Sequence, residues 1–99
     1  MTGNSLQFVV ELENIISKRL DDQHEDSYTA SLGNAGIKRV AQKVGEEAVE
    51  LALASIAGDR QEVSDEAADL VYHLLVLLRL QDISMNDVAK TLQDRHVAK

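Results

Sequence analysis

Two stretches with helical apolar spacing, Ile37 to Ala57 and Arg60 to Gln81, are separated only by Gly58-Asp59, and this limits the fold more than any other feature of the chain. Gly58 suits a left-handed C-terminal cap. Asp59, with Glu62 three residues later, resembles a capping box for the second stretch. Two long helices joined by so short a turn run antiparallel, so side chains at similar distances from the turn meet.

The rest of the chain favours an all-α fold. No proline interrupts the 99 residues, and the five glycines mostly gather at apparent breaks. The apolar share is 44% and the aromatic share 3%, so the core is built from Leu, Val, Ile and Ala. We expect four to five helices in an antiparallel bundle, forming a single domain over residues 1–99. A first helix is predicted from about Ser5 to Leu20, with an apolar arc (Leu6, Phe8, Val9, Leu12, Ile15, Ile16, Leu20) wide enough to be covered on two sides. A polar loop, Asp21 to Asp26, follows. Ser27 to Leu32 reads as a short helix capped by Ser27 and ended by Gly33-Asn34-Ala35-Gly36.

The third helix, Ile37 to Ala57, is expected to bury Ile37, Val40, Val44, Ala48, Leu51 and Ser55, with its acids pointing roughly the opposite way. A row of small residues, Ala41, Gly45, Ala48 and Ala52, would let another helix approach closely. The fourth helix is almost wholly apolar from Leu70 to Leu78, as expected of a helix surrounded by protein. Ser84 and Asp87 cap a fifth helix whose Met85, Val88, Ala89 and Leu92 form one buried face. These apolar surfaces exceed what one small chain covers, so a homodimer or higher homo-oligomer is expected, with active sites near the subunit interface.

Several function classes are disfavoured. Without cysteine there is no disulfide framework and no thiolate metal site, in agreement with a reducing, cytoplasmic setting. Met1-Thr-Gly-Asn-Ser lacks the basic and apolar regions of a signal peptide. Leu70 to Leu80 is too short to cross a bilayer and contains His73 and Arg79, so no membrane partner is expected. A net charge of −7 opposes binding to a nucleic-acid backbone, although a nucleotide can bind through metal ions.

The chemistry concentrates in Lys43-Val-Gly-Glu46-Glu47-Ala-Val-Glu50 and Glu66-Ala-Ala-Asp69-Leu-Val-Tyr-His73. At about 100° per residue, Glu46 and Glu50 share one helix face, Glu47 borders them, and Glu66 and Asp69 share a face of the next helix. Folding at the turn would then bring up to five carboxylates to one small volume. Crowded carboxylates repel and take up protons more readily unless a cation sits among them. An all-oxygen set favours Mg²⁺ or Mn²⁺ over zinc. Read alone, Glu46, Glu47 and Glu50 also fit a solvated face paired with Lys43. Asp69, however, directly precedes an apolar run and is costly to bury without a partner or metal. His73 fits a hydrogen-bonded core histidine better than a ligand. Arg79, within the apolar run, is expected to pair with an acid across an interface.

Glu46-Glu47-x-x-Glu50, fifteen intervening residues and Glu66-x-x-Asp69 resemble the EExxE and ExxD signature of the all-α, MazG-like nucleotide pyrophosphohydrolases. Within them, Ser27-Tyr28-Thr29 before a glycine turn, Lys38, the Lys43 to Glu50 segment and the Tyr72-His73-Leu-Leu-Val run resemble the phosphoribosyl-ATP pyrophosphatases of histidine biosynthesis. The likeness runs nearly end to end, with no departure at the five acids. It does not include the cyclohydrolase domain that some relatives carry, so their second activity is expected to be absent.

The resemblance implies hydrolysis of 1-(5-phosphoribosyl)-ATP to 1-(5-phosphoribosyl)-AMP and pyrophosphate, cutting between the α and β phosphorus atoms with Mg²⁺ or Mn²⁺ bridging carboxylates and phosphates. Glu46, Glu50, Glu66 and Asp69 are then the principal ligands and Glu47 a base or further ligand; spacing does not separate Glu46 from Glu47 as the base. Lys43 is placed to contact phosphates, to restrain an acid, or to form an intrahelical salt bridge. Lys38 and Arg39 can reach the phosphoribosyl phosphate or simply aid solubility. Tyr28 can stack on adenine or serve packing, and Thr29 offers a hydroxyl. Two rivals stand beside this reading: a house-cleaning nucleoside triphosphate pyrophosphohydrolase of the same superfamily, and a non-catalytic helical dimerisation module.

Overall fold

The computed structural model describes residues 5–22 and 27–97, which form five α-helices and no strand. These are α1 (Gln7–Asp22), α2 (Tyr28–Ala35), α3 (Ile37–Ala57), α4 (Arg60–Leu80) and α5 (Met85–Val97). The expected all-α class is therefore observed. Residues 23–26 of the expected polar loop lie outside the described residues. Asp21 and Asp22, assigned to that loop, instead complete α1, where the Asp21 carboxylate accepts a hydrogen bond from Arg79 Nη2 at 3.1 Å.

The α3–α4 hairpin is the main pairing; α1 packs on α2 and α4, while α2 also touches α3 and α4. Its turn follows the sequence closely. Gly58 adopts φ 85°, ψ 12° and its N–H bonds to the Ala54 carbonyl, a conformation that costs glycine little. Asp59 Oδ1 then accepts from the N–H groups of Gln61 at 3.0 Å and Glu62 at 3.1 Å, satisfying two donors that the first turn of α4 would otherwise leave unpaired. A fully reciprocal capping box occurs instead at α5: Asp87 N–H bonds to Ser84 Oγ, and Ser84 N–H to Asp87 Oδ2.

The core consists of Ile16, Leu32, Val40, Leu75 and Val76, surrounded by half-buried residues including Leu12, Leu20, Val71, Leu77 and Met85. Full burial of each such aliphatic side chain contributes about 1.5–3 kcal/mol, so this core is small. Much apolar surface faces outward: Phe8 and Val10 on α1, and Val49, Leu53 and Ile56 on α3, the last 83% exposed. Thus α1 is covered on one side rather than two within this chain.

Other expectations require correction. Helix α2 continues through Gly33 and Asn34. Gly33 serves packing rather than helix termination, since a Cβ there would lie 2.6 Å from Leu20 Cδ2 of α1. The row of small residues on α3 is not packed inside this chain: Ala41, Gly45, Ala48 and Ala52 are exposed, and a Cβ on Gly45 would meet nothing within 4 Å. On α5, Met85 and Val88 are half-buried but Ala89 and Leu92 are exposed, so the expected buried stripe covers only the first turn. Arg79 finds its acid within the chain. Its Nε donates to Ser17 Oγ at 2.7 Å and its Nη2 to Asp21, tying α4 to α1.

Candidate active site

The side chains of α3 do not divide simply into an apolar face and an acidic one. Its fully buried positions are Val40, Glu47 and Ala54, spaced by seven residues, or nearly two helical turns. Glu47 thus lies on the core-facing line with only 8% exposure, whereas Ala48 and Ser55, expected inside, are exposed. The reading that all the acids point away from the core is corrected for this residue. The physical cause is a polar pocket opposite Glu47, supplied by His73 of α4.

His73 is 5% exposed. Its Nδ1 lies 2.8 Å from the Asp69 carbonyl and its Nε2 lies 2.8 Å from the Tyr28 hydroxyl of α2. A carbonyl only accepts, so Nδ1 carries hydrogen and, in the neutral ring, Nε2 accepts from Tyr28. Glu47 Oε1 lies against the same Nδ1, although neither His73 nor any other donor completes a hydrogen bond to that oxygen. Tyr28 and Tyr72 stack, with centroids 6.0 Å apart, and each meets the His73 ring edge-on. Thr29 is 2% exposed, its hydroxyl bonded to that of Tyr72.

Glu66 faces this region from the next turn of α4. It is half-buried, and its Oε1 is shielded from water without a hydrogen-bond partner. Burial raises its pKa above the ordinary carboxylate range, and the nearby charges of Glu50, Asp69, Glu47 and Glu62 raise it further. The antiparallel hairpin therefore puts Glu47 and Glu50 of α3 into electrostatic contact with Glu66 and Asp69 of α4. Glu46 stands apart from the groups that act on Glu66. It is exposed, with its carboxylate accepting from Gln42 Nε2 at 3.0 Å. Among the described residues, no three His, Asp or Glu side chains converge closely enough to enclose a metal ion as they stand.

The remaining sequence candidates are placed as follows. Lys43 is half-buried on α3 and, among the described residues, forms no ion pair with the acids. Lys38 and Arg39 are exposed on the first turn of α3. The Tyr28 ring is 51% exposed although its hydroxyl is engaged by His73. Thr29 is turned inward and offers no hydroxyl at the surface. Sequence reasoning missed the joint arrangement of Tyr28, Tyr72, His73 and Glu47. The usable signal was the seven-residue interval from Val40 through Glu47 to Ala54, which places an acid on a buried line.

Residues 9–96 match the phosphoribosyl-ATP pyrophosphohydrolase family, PRA-PH. Among similar proteins, the histidine biosynthesis bifunctional protein HisIE of Photobacterium profundum is 51% identical over 92 residues, covering 93% of this chain and 44% of that protein. HisIE of Vibrio cholerae is 55% identical over 86 residues, covering 87% of this chain and 41% of that protein. HisIE of Escherichia coli O157:H7 is 48% identical over 95 residues, covering 96% and 47% respectively. The chain thus spans less than half the length of these curated relatives. With a match across almost all of its helical region, the chain belongs to the phosphoribosyl-ATP pyrophosphohydrolase family.

Proposed function

We propose that this chain hydrolyses 1-(5-phosphoribosyl)-ATP to 1-(5-phosphoribosyl)-AMP and pyrophosphate, a step of histidine biosynthesis. The observation that carries this reading is the pair of water-shielded, unpartnered carboxylate oxygens, Glu47 Oε1 and Glu66 Oε1, on facing helices of a chain in this family. The donor chemistry fits Mg²⁺, or Mn²⁺ in its place: the ligands are all hard oxygens, an orphan oxygen is present on each helix, and Glu66 is strained by four neighbouring acids. Glu50, Glu66 and Asp69 would hold the cation, with Glu46 at the outer edge of the set. When bound, the divalent ion neutralises phosphate charge and polarises the phosphorus centre under attack.

The protein's own groups then have separate tasks. Glu47 takes the proton of the attacking water through the carboxylate oxygen not packed against His73. Lys43 contacts a phosphate, because no acid among the described residues engages it. Lys38 and Arg39, exposed at the start of α3, reach the phosphate of the phosphoribosyl group. Tyr28 uses the open part of its ring to stack on adenine. Thr29 serves the interior by holding Tyr72.

A homodimer or higher homo-oligomer is the working form in this reading, supported by the uncovered Val49, Leu53 and Ile56 on α3. A cytoplasmic setting is supported by the absence of cysteine. Among the described residues, no helix is long and apolar enough to cross a membrane.

The test is pyrophosphate release from phosphoribosyl-ATP, with and without EDTA, beside a panel of nucleoside triphosphates. Turnover of phosphoribosyl-ATP that EDTA abolishes and Mg²⁺ restores is expected. Preference for a free nucleoside triphosphate would overturn the substrate, and turnover indifferent to EDTA would overturn the role of the cation.

A further inference from the structure

We propose that His73 is a positioning residue for the Glu47 carboxylate and that the Tyr28 hydroxyl sets the tautomer in which it works. This rests on the reading of Glu47 as the proton acceptor. The imidazole is nine-tenths buried and bonded at both nitrogens, so it neither reaches substrate nor turns freely. Its Nδ1–H binds the Asp69 carbonyl one turn earlier on α4, while Nε2 takes the hydroxyl hydrogen of Tyr28 from α2. Tyr28 and Tyr72 close on the ring edgewise, at interplanar angles of 85° and 87°. Rotation of the imidazole by a half-turn would break both hydrogen bonds within a packed aromatic cluster.

The consequence falls on Glu47. Its Oε1 lies against Nδ1, so the positive end of the N–H dipole faces the carboxylate. That attraction holds one oxygen in the interior and leaves the other for the attacking water. With the opposite tautomer, Nδ1 would present a lone pair to both the Asp69 carbonyl and the Glu47 carboxylate, repelling each. Tyr28 disfavours this state because its hydroxyl donates to Nε2. Three helices therefore determine the orientation of one side chain: α2 supplies the donor, α4 the ring and α3 the carboxylate.

The experiment uses the intact chain and two kinds of measurement. Two-bond ¹H–¹⁵N spectra of the histidine rings report the tautomer without turnover, and the Nδ1–H form is expected for His73. Steady-state kinetics on phosphoribosyl-ATP then compare His73→Asn, whose amide N–H stands where Nδ1–H was, with His73→Gln, whose amide is displaced. His73→Gln is expected to lower kcat about 10- to 100-fold, the range for removing an orienting partner, while His73→Asn retains most of kcat. Tyr28→Phe keeps the aromatic face, so KM should hold while kcat falls. In the His73→Asn background the Tyr28→Phe change should lose its effect, because their coupling passes through the ring.

Equal losses in His73→Asn and His73→Gln, or a Tyr28→Phe effect that persists in the His73→Asn background, would overturn the proposal. The Nε2–H tautomer in a protein that still requires Glu47 would overturn it alone. Full kcat in Glu47→Gln would overturn both the role of Glu47 and this proposal, even with the expected spectrum.

Discussion

The two faces of α3 invert the usual assignment of polar and apolar residues. The inner line, Val40, Glu47 and Ala54, buries a carboxylate; the outer face leaves Val49, Leu53 and Ile56 in solvent beside the bare Gly45 backbone. A buried acid without a partner is destabilising, and an exposed cluster of large aliphatics forgoes burial energy. Glu47 is accommodated inside because α4 brings His73 to it, whereas the outer face has nothing in this chain to meet. The contrast separates two roles along one helix: the inner face orients chemistry, and the outer face is fitted to a second copy of the chain.

Substitution at the centre of the inner face should have the largest effect. Glu47→Gln preserves shape and should lower kcat about 10²- to 10⁴-fold, the usual worth of a general base, with thermal unfolding little changed. A comparable kcat loss from Val49→Gln on the outer face would break the division between the two faces. Next, Leu53→Lys combined with Ile56→Lys should convert an oligomer to monomer in sedimentation equilibrium. If that face meets only water, mass should stay constant and stability should change by no more than about 0.5 kcal/mol.

Glu66 gives a pH test on the facing helix. Burial and four neighbouring acids raise its folded-state pKa, so the folded chain binds a proton more tightly than the unfolded chain. Stability therefore rises as pH falls through the raised value, and is lost as pH climbs through it. Glu66→Gln should melt above wild type at about pH 7 in EDTA, and the difference should vanish below the ordinary carboxylate range, where both side chains are neutral. A difference that grows on acidification would mean that Glu66 is stabilised as an anion. The smallest expected effect is at Gly45. Alanine there should stabilise the helix by about 1 kcal/mol if the site is open, consistent with the free space around its Cβ position. Destabilisation together with loss of the oligomer would instead identify Gly45 as a point of close contact between subunits.

The hairpin was legible because its signals are local. Apolar spacing, the αL-tolerant Gly58 and the capping Asp59 act over one or two turns, and they place α3 and α4 with their acids at similar distances from the turn. The extent of α2 was less legible. Gly33 reads as a terminator in sequence, yet the helix passes through it because Leu20 of α1 occupies the space a side chain would need. Arg79 likewise looked like an interface residue until α1 supplied Ser17 and Asp21.

By itself, the sequence determined an all-α chain and a hairpin bearing two groups of acids, since helical periodicity and capping depend on near neighbours. It also carried the acid motifs by which the family is known. Only the tertiary structure decided which acid turns inward. Helical spacing treats Glu46 and Glu47 as adjacent equals, but the burial cost of a carboxylate depends on what other helices bring to it. A histidine held by a tyrosine from α2 lies opposite Glu47, while Glu46 remains at the surface with Gln42.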